Sequence, residues 1–177
     1  TSSERSAIKT TEVANDNNIS YGTAGGNDTS DKVFLLSENE VYNSNTAFSY
    51  GFTKSDSKCD EGRRCKSSTF AKAMGVYSSI IDSSTYAGNC FWWLRSPGYD
   101  TDIAADVSND GHVVSGGGSS VNCDVYAVRP ALHLDLSSSD LYSYAGTVSS
   151  DGAVNEEGGG VVTPDDPDSN QIDGTIS

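Results

Sequence analysis

Four cysteines and two histidines are the residues of this chain whose chemistry depends most on spacing. Cys59 and Cys65 enclose DEGRR, a separation that closes a small surface loop, and Cys90 and Cys123 bracket a polar stretch whose two ends a disulfide could staple. An even number of cysteines fits two such bridges in an oxidising compartment. Zinc fits worse: no CxxC pair occurs, and neither His112 nor His133 stands at zinc-ligand spacing from a cysteine. Asp100, Asp102, Asp106, Asp110 and Asp124 could offer oxygens to calcium, but they lack the Asx-Gly spacing of a calcium loop and read as a solvated acidic face. An enzyme would need a nucleophile with its base, two carboxylates in a cleft or a metal cluster, and none is legible. No metal and no cofactor are expected.

The rest of the composition bounds the partners. Eleven Lys and Arg stand against 25 Asp and Glu, a formal charge of −14. That balance cannot spread a basic footprint over phosphates, so no nucleic-acid partner is expected, and an anionic membrane would repel the chain. No apolar run approaches the ~18 residues of a membrane-spanning helix. With 177 residues, 35% of them hydrophobic, and 18 glycines, the chain suits one loop-rich domain with a real core plus a tail.

The elements that must position these residues are short. Residues 1–27 are polar and without periodicity, a lead-in; 28–148 carry the apolar runs of the domain body; 149–177 are Gly-, Pro- and Asp-rich linker, the kind of junction that precedes another domain or an anchor. KVFLL, from Lys32, predicts a short buried strand, and Ser37 with Glu40 predicts a capping box opening a short helix. Ser67 or Ser68 can cap a helix through SSTFAKAMGVY, with Phe70 and Met74 on one face and Gly75 as its stop. FWWLRS, Phe91 to Ser96, is strand-like and ends at the Pro97-Gly98 turn. Asp110-Gly111 predicts a two-residue hairpin turn between Val107 and Val113. In AVRPALHLDL, Val128, Leu132, Leu134 and Leu136 share one parity and Arg129, His133 and Asp135 the other, which predicts a half-buried strand with the leucines inward.

Three blocks, taken together, resemble a known family: Trp92, Trp93, Leu94, Arg95, Ser96, Pro97 and Gly98; then Ala104, Ala105, Val107, Asp110, Gly111 and Val113; then Val128, Arg129, Pro130, Ala131 and Leu132. With DKVFLLS at residues 31–37, the pattern resembles the C-type-lectin-fold domains, of the formylglycine-generating-enzyme type, that occur in bacterial surface and phage-borne proteins. Within these it is most similar to the variable proteins of diversity-generating retroelements. The resemblance covers residues 31–136 and implies an α+β fold, loop-rich, with short helices and small antiparallel sheets. It does not carry over the oxidation chemistry of the related enzymes, whose core cysteines are not matched here.

In such systems template adenines are randomised, and AAC codons become NNC codons, which encode every amino acid except Lys, Glu, Gln, Met and Trp. Residues 99–128 contain none of those five. The resemblance therefore implies a variable, ligand-binding surface made of Tyr99, Asp100, Thr101, Asp102, Ile103, Asp106, Ser108, Asn109, His112, Val114, Ser119, Ser120, Asn122, Asp124, Val125 and Tyr126. Strand alternation would turn Asp106 and Ser108 away from Val107, and His112 and Val114 away from Val113, towards solvent. Cys123 either pairs with Cys90 or is itself a product of variation, leaving Cys90 free. Arg95 and Arg129 read as partly buried ions bonded to carboxylates or carbonyls, and the two tryptophans as packing. The implied function is receptor- or adhesin-like binding of a protein or glycan on another cell, displayed outside a bacterial cell or on a phage particle. An invariant adhesion or carbohydrate-binding module of the same fold is the alternative.

Overall fold

Frequent turn residues between brief apolar runs leave room only for short elements, and the computed structural model of the chain has them. It describes residues 2–42, 52, 61–79, 85–114, 117–135, 137, 147–148 and 154–155. In order these are α1 (Ser2–Ala7), β1 (Ile8–Lys9), β2 (Thr11–Val13), β3 (Thr29–Asp31), β4 (Phe34–Leu35), α2 (Glu38–Tyr42), a 3₁₀ turn (Glu61–Arg63), α3 (Thr69–Ala73), β5 (Trp92–Pro97), β6 (Ile103–Val107), β7 (Ser119–Ser120), β8 (Pro130–Ala131), β9 (His133–Leu134), β10 (Thr147–Val148) and β11 (Val154–Asn155). The described strands form small antiparallel sheets: β5-β6-β7, and the pairs β1-β9, β2-β3, β4-β8 and β10-β11. The result is a loop-rich α+β architecture. No helix among the described residues is long and apolar enough to cross a membrane.

The core gathers where β4, α2 and the β5-β6 pair meet. Trp92, Ala105, Val107 and Val113 are fully buried, with Leu94, Val41, Leu36, Phe34, Phe52 and Val13 packed around them. Each large aliphatic or aromatic side chain so buried contributes about 1.5–3 kcal/mol. Local signals in the sequence translate directly. The Ser37 hydroxyl accepts from Glu40 N–H at 3.2 Å while Glu40 Oε2 accepts from Ser37 N–H at 2.7 Å, the reciprocal capping box. Ser68 caps α3 by accepting from Ala71 N–H at 3.1 Å, and Gly75 follows at φ +95°. Phe70 and Met74 do share a face of α3, but they are solvent-exposed.

Two expectations are corrected. The turn after β6 holds three residues, not two: Gly111 N–H donates to Ser108 O and Ser108 N–H to His112 O, both at 2.9 Å, with Gly111 at φ +86°. A type I turn followed by a left-handed glycine makes a three-residue hairpin loop, and Val107 and Val113 still pair across it. The parity of the last strand is also inverted. Val128, Leu132 and Leu134 are exposed by 65%, 42% and 45%, whereas Arg129, Ala131 and His133 turn inward. The Arg129 guanidinium lies over the rings of Trp92 and Phe52 at 5.0 and 5.2 Å, and His133 Nδ1 bonds Thr11 Oγ1 at 3.0 Å while its ring meets Phe34 edge-on. Those ring contacts outcompete leucine burial because the strand breaks at Leu132 into β8 and β9, each pairing with a different element. Leu136 lies outside the described residues.

The segment 8–31 is tied to the body. β1 pairs with β9, and buried Asn18 donates through its side-chain amide to Pro97 O at 2.8 Å.

Candidate functional site

The framework of the site is the β5-β6-β7 sheet and what holds it from behind. Trp92 and Leu94 point into the core, and Trp92 Nε1 donates to Arg63 O at 3.0 Å. Arg63 is itself fully buried, its Nε donating to Gly111 O at 3.0 Å and its Nη1 to Val41 O at 3.2 Å, so the hairpin loop rests on an arginine. Arg64 Nε adds a bond to Asp110 O at 3.1 Å. Arg95 pairs with Glu40 through two parallel bonds, Nη1 to Oε2 and Nη2 to Oε1, the latter 3.0 Å long. It also donates to Leu35 O at 2.8 Å and Ala14 O at 3.1 Å. Burial raises the Glu40 pKa, but the Arg95 guanidinium and the Ser37 N–H outweigh it and hold the carboxyl below its usual range. Arg95 thus has the bonded role expected of it, while Arg129 takes an aromatic one, its Nη1 without a hydrogen-bond partner among the described residues.

The irregular segments then divide into two groups. Tyr99–Ile103 and Ser119–Tyr126 meet at one end of the sheet: Tyr99 N–H donates to Gly117 O at 3.3 Å, Val121 N–H to Asp102 O at 2.9 Å, and Ile103 pairs with Ser120. Their close approach needs glycine, since a Cβ on Gly98 would stand 2.2 Å from Ile103 Cγ2 and 2.5 Å from Gly117 O. Tyr99, Asp100, Thr101, Asp102, Asn122, Asp124 and Val125 are exposed here; Ile103, Ser119, Ser120 and Cys123 are half-buried. Tyr21, from the Asn18 loop, meets Tyr99 edge-on with centroids 6.2 Å apart, and the Asn18 Oδ1 that accepts from Ser20 and Tyr21 N–H sets that loop. The second group, Ser108, Asn109 and His112, sits at the opposite end of β6, about 13–16 Å away at the rise of a five-residue strand. All three are half-buried and engaged in the hairpin: the Ser108 hydroxyl bonds Asp110 Oδ1, His112 N–H donates to the same oxygen at 2.9 Å, and Asn109 O accepts from the Asn89 amide at 2.8 Å. Burial pushes the Asp110 pKa up, but the Ser108 and His112 contacts prevail and keep it low. A single exposed patch holding Tyr99, His112 and Tyr126 is therefore not what the fold builds.

Asp106, expected towards solvent, is 1% exposed. It lies opposite Trp93 in the β5-β6 pair, and the face it shares with Trp93 is covered by Tyr126, whose ring is 4.5 Å from Trp93 and 5.1 Å from Phe91, stacked on the latter. Ser119 Oγ and Tyr126 Oη are bonded to each other at 2.8 Å. Neither carboxylate oxygen of Asp106 has a geometrically sound hydrogen bond among the described residues. Burial accordingly pushes its pKa to about 6, against the pull of the nearby Ser119 hydroxyl. Val114 N–H donates to Asp106 O at 3.0 Å, which places Val114 as an edge of the same strand pair.

Sequence reasoning missed the aromatic row of Tyr77, Phe91, Trp93 and Tyr126. Its signal was the run Phe91-Trp92-Trp93, whose alternation forces alternate rings to opposite faces. Tyr21 was missed because its segment has no periodicity; Asn18 and Gly22 were the turn residues that could have flagged it.

Cys90 does not face Cys123. Its thiol lies against Cys65, while Cys123 sits in the 121–125 turn with its N–H on Ser120 O at 2.9 Å. Cys59 lies outside the described residues.

No curated protein and no solved structure matches the chain. One family model does, over residues 1–136, and it spans β1 to β9 with the sheet, the two arms and the hairpin just described. On that match the chain belongs to the DUF6273 family, a domain of unknown function.

Proposed function

We propose that this domain is a ligand-binding module with a C-type-lectin-like fold of the formylglycine-generating-enzyme type, and that its arms 99–103 and 119–126 form a surface diversified by a retroelement. One observation carries the reading: fixed-pattern residues Trp92, Leu94, Ala105, Val107 and Val113 are all at most 2% exposed, while the chain between Leu94 and Ala105 and the chain beyond Val113 emerge as two adjoining arms of exposed, chemically mixed side chains. A buried scaffold with a small tunable rim is what repeated substitution tolerates, because surface changes usually move stability within about 0.5 kcal/mol. The exposed Tyr99 supplies amphipathic contact area of the kind antibody loops use, and Asp100, Asp102 and Asp124 bias the rim towards basic or polar ligands, protein or glycan. Display outside a bacterial cell or on a phage particle belongs to the same proposal, as does binding without catalysis.

The invariant adhesion module remains the second reading, and Asp106, Ser108 and His112 favour it. Their side chains or backbones are built into the strand pair and the hairpin, where random substitution would disturb the fold. The DNA flanking the gene separates the two. Diversification requires a near-copy of the segment coding for residues 92–132, differing at adenines, beside a reverse transcriptase; a neighbourhood without either leaves the invariant module.

A further inference from the structure

Cys65 and Cys90, 25 positions apart, are cross-strand neighbours. The antiparallel bridge between Lys66 and Asn89 sets them directly opposite each other, and Cys90 N–H donates to Cys65 O at 2.8 Å. Opposed residues of an antiparallel strand pair have Cα atoms about 4.5–5.5 Å apart, within the range at which disulfides form. The Cys90 thiol lies 3.3 Å from Cys65 O, close enough for each thiol to shift the other's ionisation. Both are unbonded here. We propose that Cys65 and Cys90 form a disulfide with each other, a pairing different from Cys59–Cys65 and Cys90–Cys123, and that it staples the Arg63–Lys66 segment to the start of β5.

The neighbours assign the order of events. Cys65 is half-buried and Cys90 1% exposed, so an oxidant reaches Cys65 first. The adjoining Cys90 thiol, aided by the Arg129 charge, outweighs burial and holds the Cys65 pKa low, whereas the neighbouring Cys65 thiol and burial push Cys90 up. Cys65 is then the attacking thiolate. It displaces one thiolate from a small-molecule disulfide such as oxidised glutathione, forming a mixed disulfide. The Cys90 sulfur, giving up its proton, attacks the Cys65 sulfur and expels the second thiolate. Two cysteine thiols lose two electrons, and the oxidant leaves as two thiols carrying the two protons. The bridge fixes the segment that carries Arg63, on which the hairpin loop and Trp92 Nε1 rest.

Trypsin tells the pairings apart in the full chain, because it separates Cys59 (residues 59–63), Cys65 (65–66), Cys90 (73–95) and Cys123 (96–177, Arg129 being followed by proline). The reduced protein is equilibrated with oxidised and reduced glutathione, its remaining thiols are alkylated, and the digest is mapped by mass. The bridge predicts 65–66 joined to 73–95, lost in Cys90→Ser and retained in Cys59→Ser and Cys123→Ser. Wild type and Cys123→Ser should both lose thermal stability on reduction, and Cys90→Ser should not. A digest dominated by 59–63 joined to 65–66, by 73–95 joined to 96–177, or by four alkylated cysteines at every glutathione ratio overturns the proposal.

Discussion

Replacing Asp106 by Asn removes a charge and changes little else, which makes it a direct probe of the buried face of β6. The carboxyl is 1% exposed, has neither oxygen hydrogen-bonded among the described residues, and has its pKa raised by burial to about 6, from 3.8. The groups facing it are neutral at pH 7: Trp93 across the strand pair, the Ser119 hydroxyl, and Tyr126, whose phenol is pushed up by burial and, further down the order of causes, by the Asp106 charge itself. A group whose folded pKa exceeds its unfolded one binds more protons when folded. Stability therefore falls as pH rises from about 4 to about 6, then levels off; below about 4 both states are protonated and the penalty vanishes. Two pKa units at 1.36 kcal/mol each amount to about 3 kcal/mol. The amide of Asn carries its own burial cost, on the order of 1–3 kcal/mol, but that cost does not vary with pH. The difference in melting temperature between Asp106→Asn and wild type should accordingly shift in favour of the variant by roughly 5–10 °C between pH 4 and pH 8, at ~3 °C per kcal/mol for a domain of this size. Thermal unfolding followed by near-ultraviolet circular dichroism, at four or five pH values for both proteins, reads it. A difference that stays flat across that range would mean that Asp106 is solvated, and the account of a covered β6 face would fail.

Breaking the Arg95–Glu40 pair with Arg95→Ala should cost about 2–4 kcal/mol in chemical denaturation at pH 7, because a half-buried carboxylate loses its partner and two backbone carbonyls lose a donor. Since the Glu40 pKa is depressed in the fold, this contribution is present at neutral pH and is lost as pH falls through the folded pKa, so the two proteins should converge in acid. Tyr99→Ala should leave the melting temperature within about 2 °C of wild type while weakening ligand capture, whereas Tyr126→Ala, which strips a ring from Phe91 and Trp93, should cost about 2–4 kcal/mol. Ser68→Ala should cost about 1 kcal/mol by uncapping α3, measurable by urea unfolding.

What the sequence disclosed follows how local each determinant is. The Ser37–Glu40 box, the Ser68 cap, the β5 strand and the Val107–Val113 pairing each depend on residues within a few positions of one another, and each was legible. The parity of residues 128–134 was not, because it is decided by Trp92 and Phe52, which lie 37 and 77 positions from Arg129 and attract its guanidinium. Asp106 misled for a related reason. Alternation predicts that it opposes Val107, which holds, but cannot tell that Tyr126 returns to cover that face. The arms 99–103 and 119–126 were legible as one region only through the resemblance; their juxtaposition comes from β6-β7 pairing across glycines. That Cys90 lies beside Cys65 was not legible, because it depends on a strand register between segments 25 positions apart, whereas sequence separation alone favours Cys59–Cys65.

The central claim, a diversified rim on a fixed scaffold, is tested most directly by deep sequencing of the codons for residues 92–132 across a single bacterial or phage population that carries the gene. The account predicts substitutions concentrated in the codons of the exposed arm residues Tyr99, Asp100, Thr101, Asp102, Asn122, Asp124 and Val125, with Trp92, Leu94, Ala105, Val107 and Val113 unchanged and few substitutions at Asp106. A population in which the arm codons are as uniform as the framework codons would contradict it.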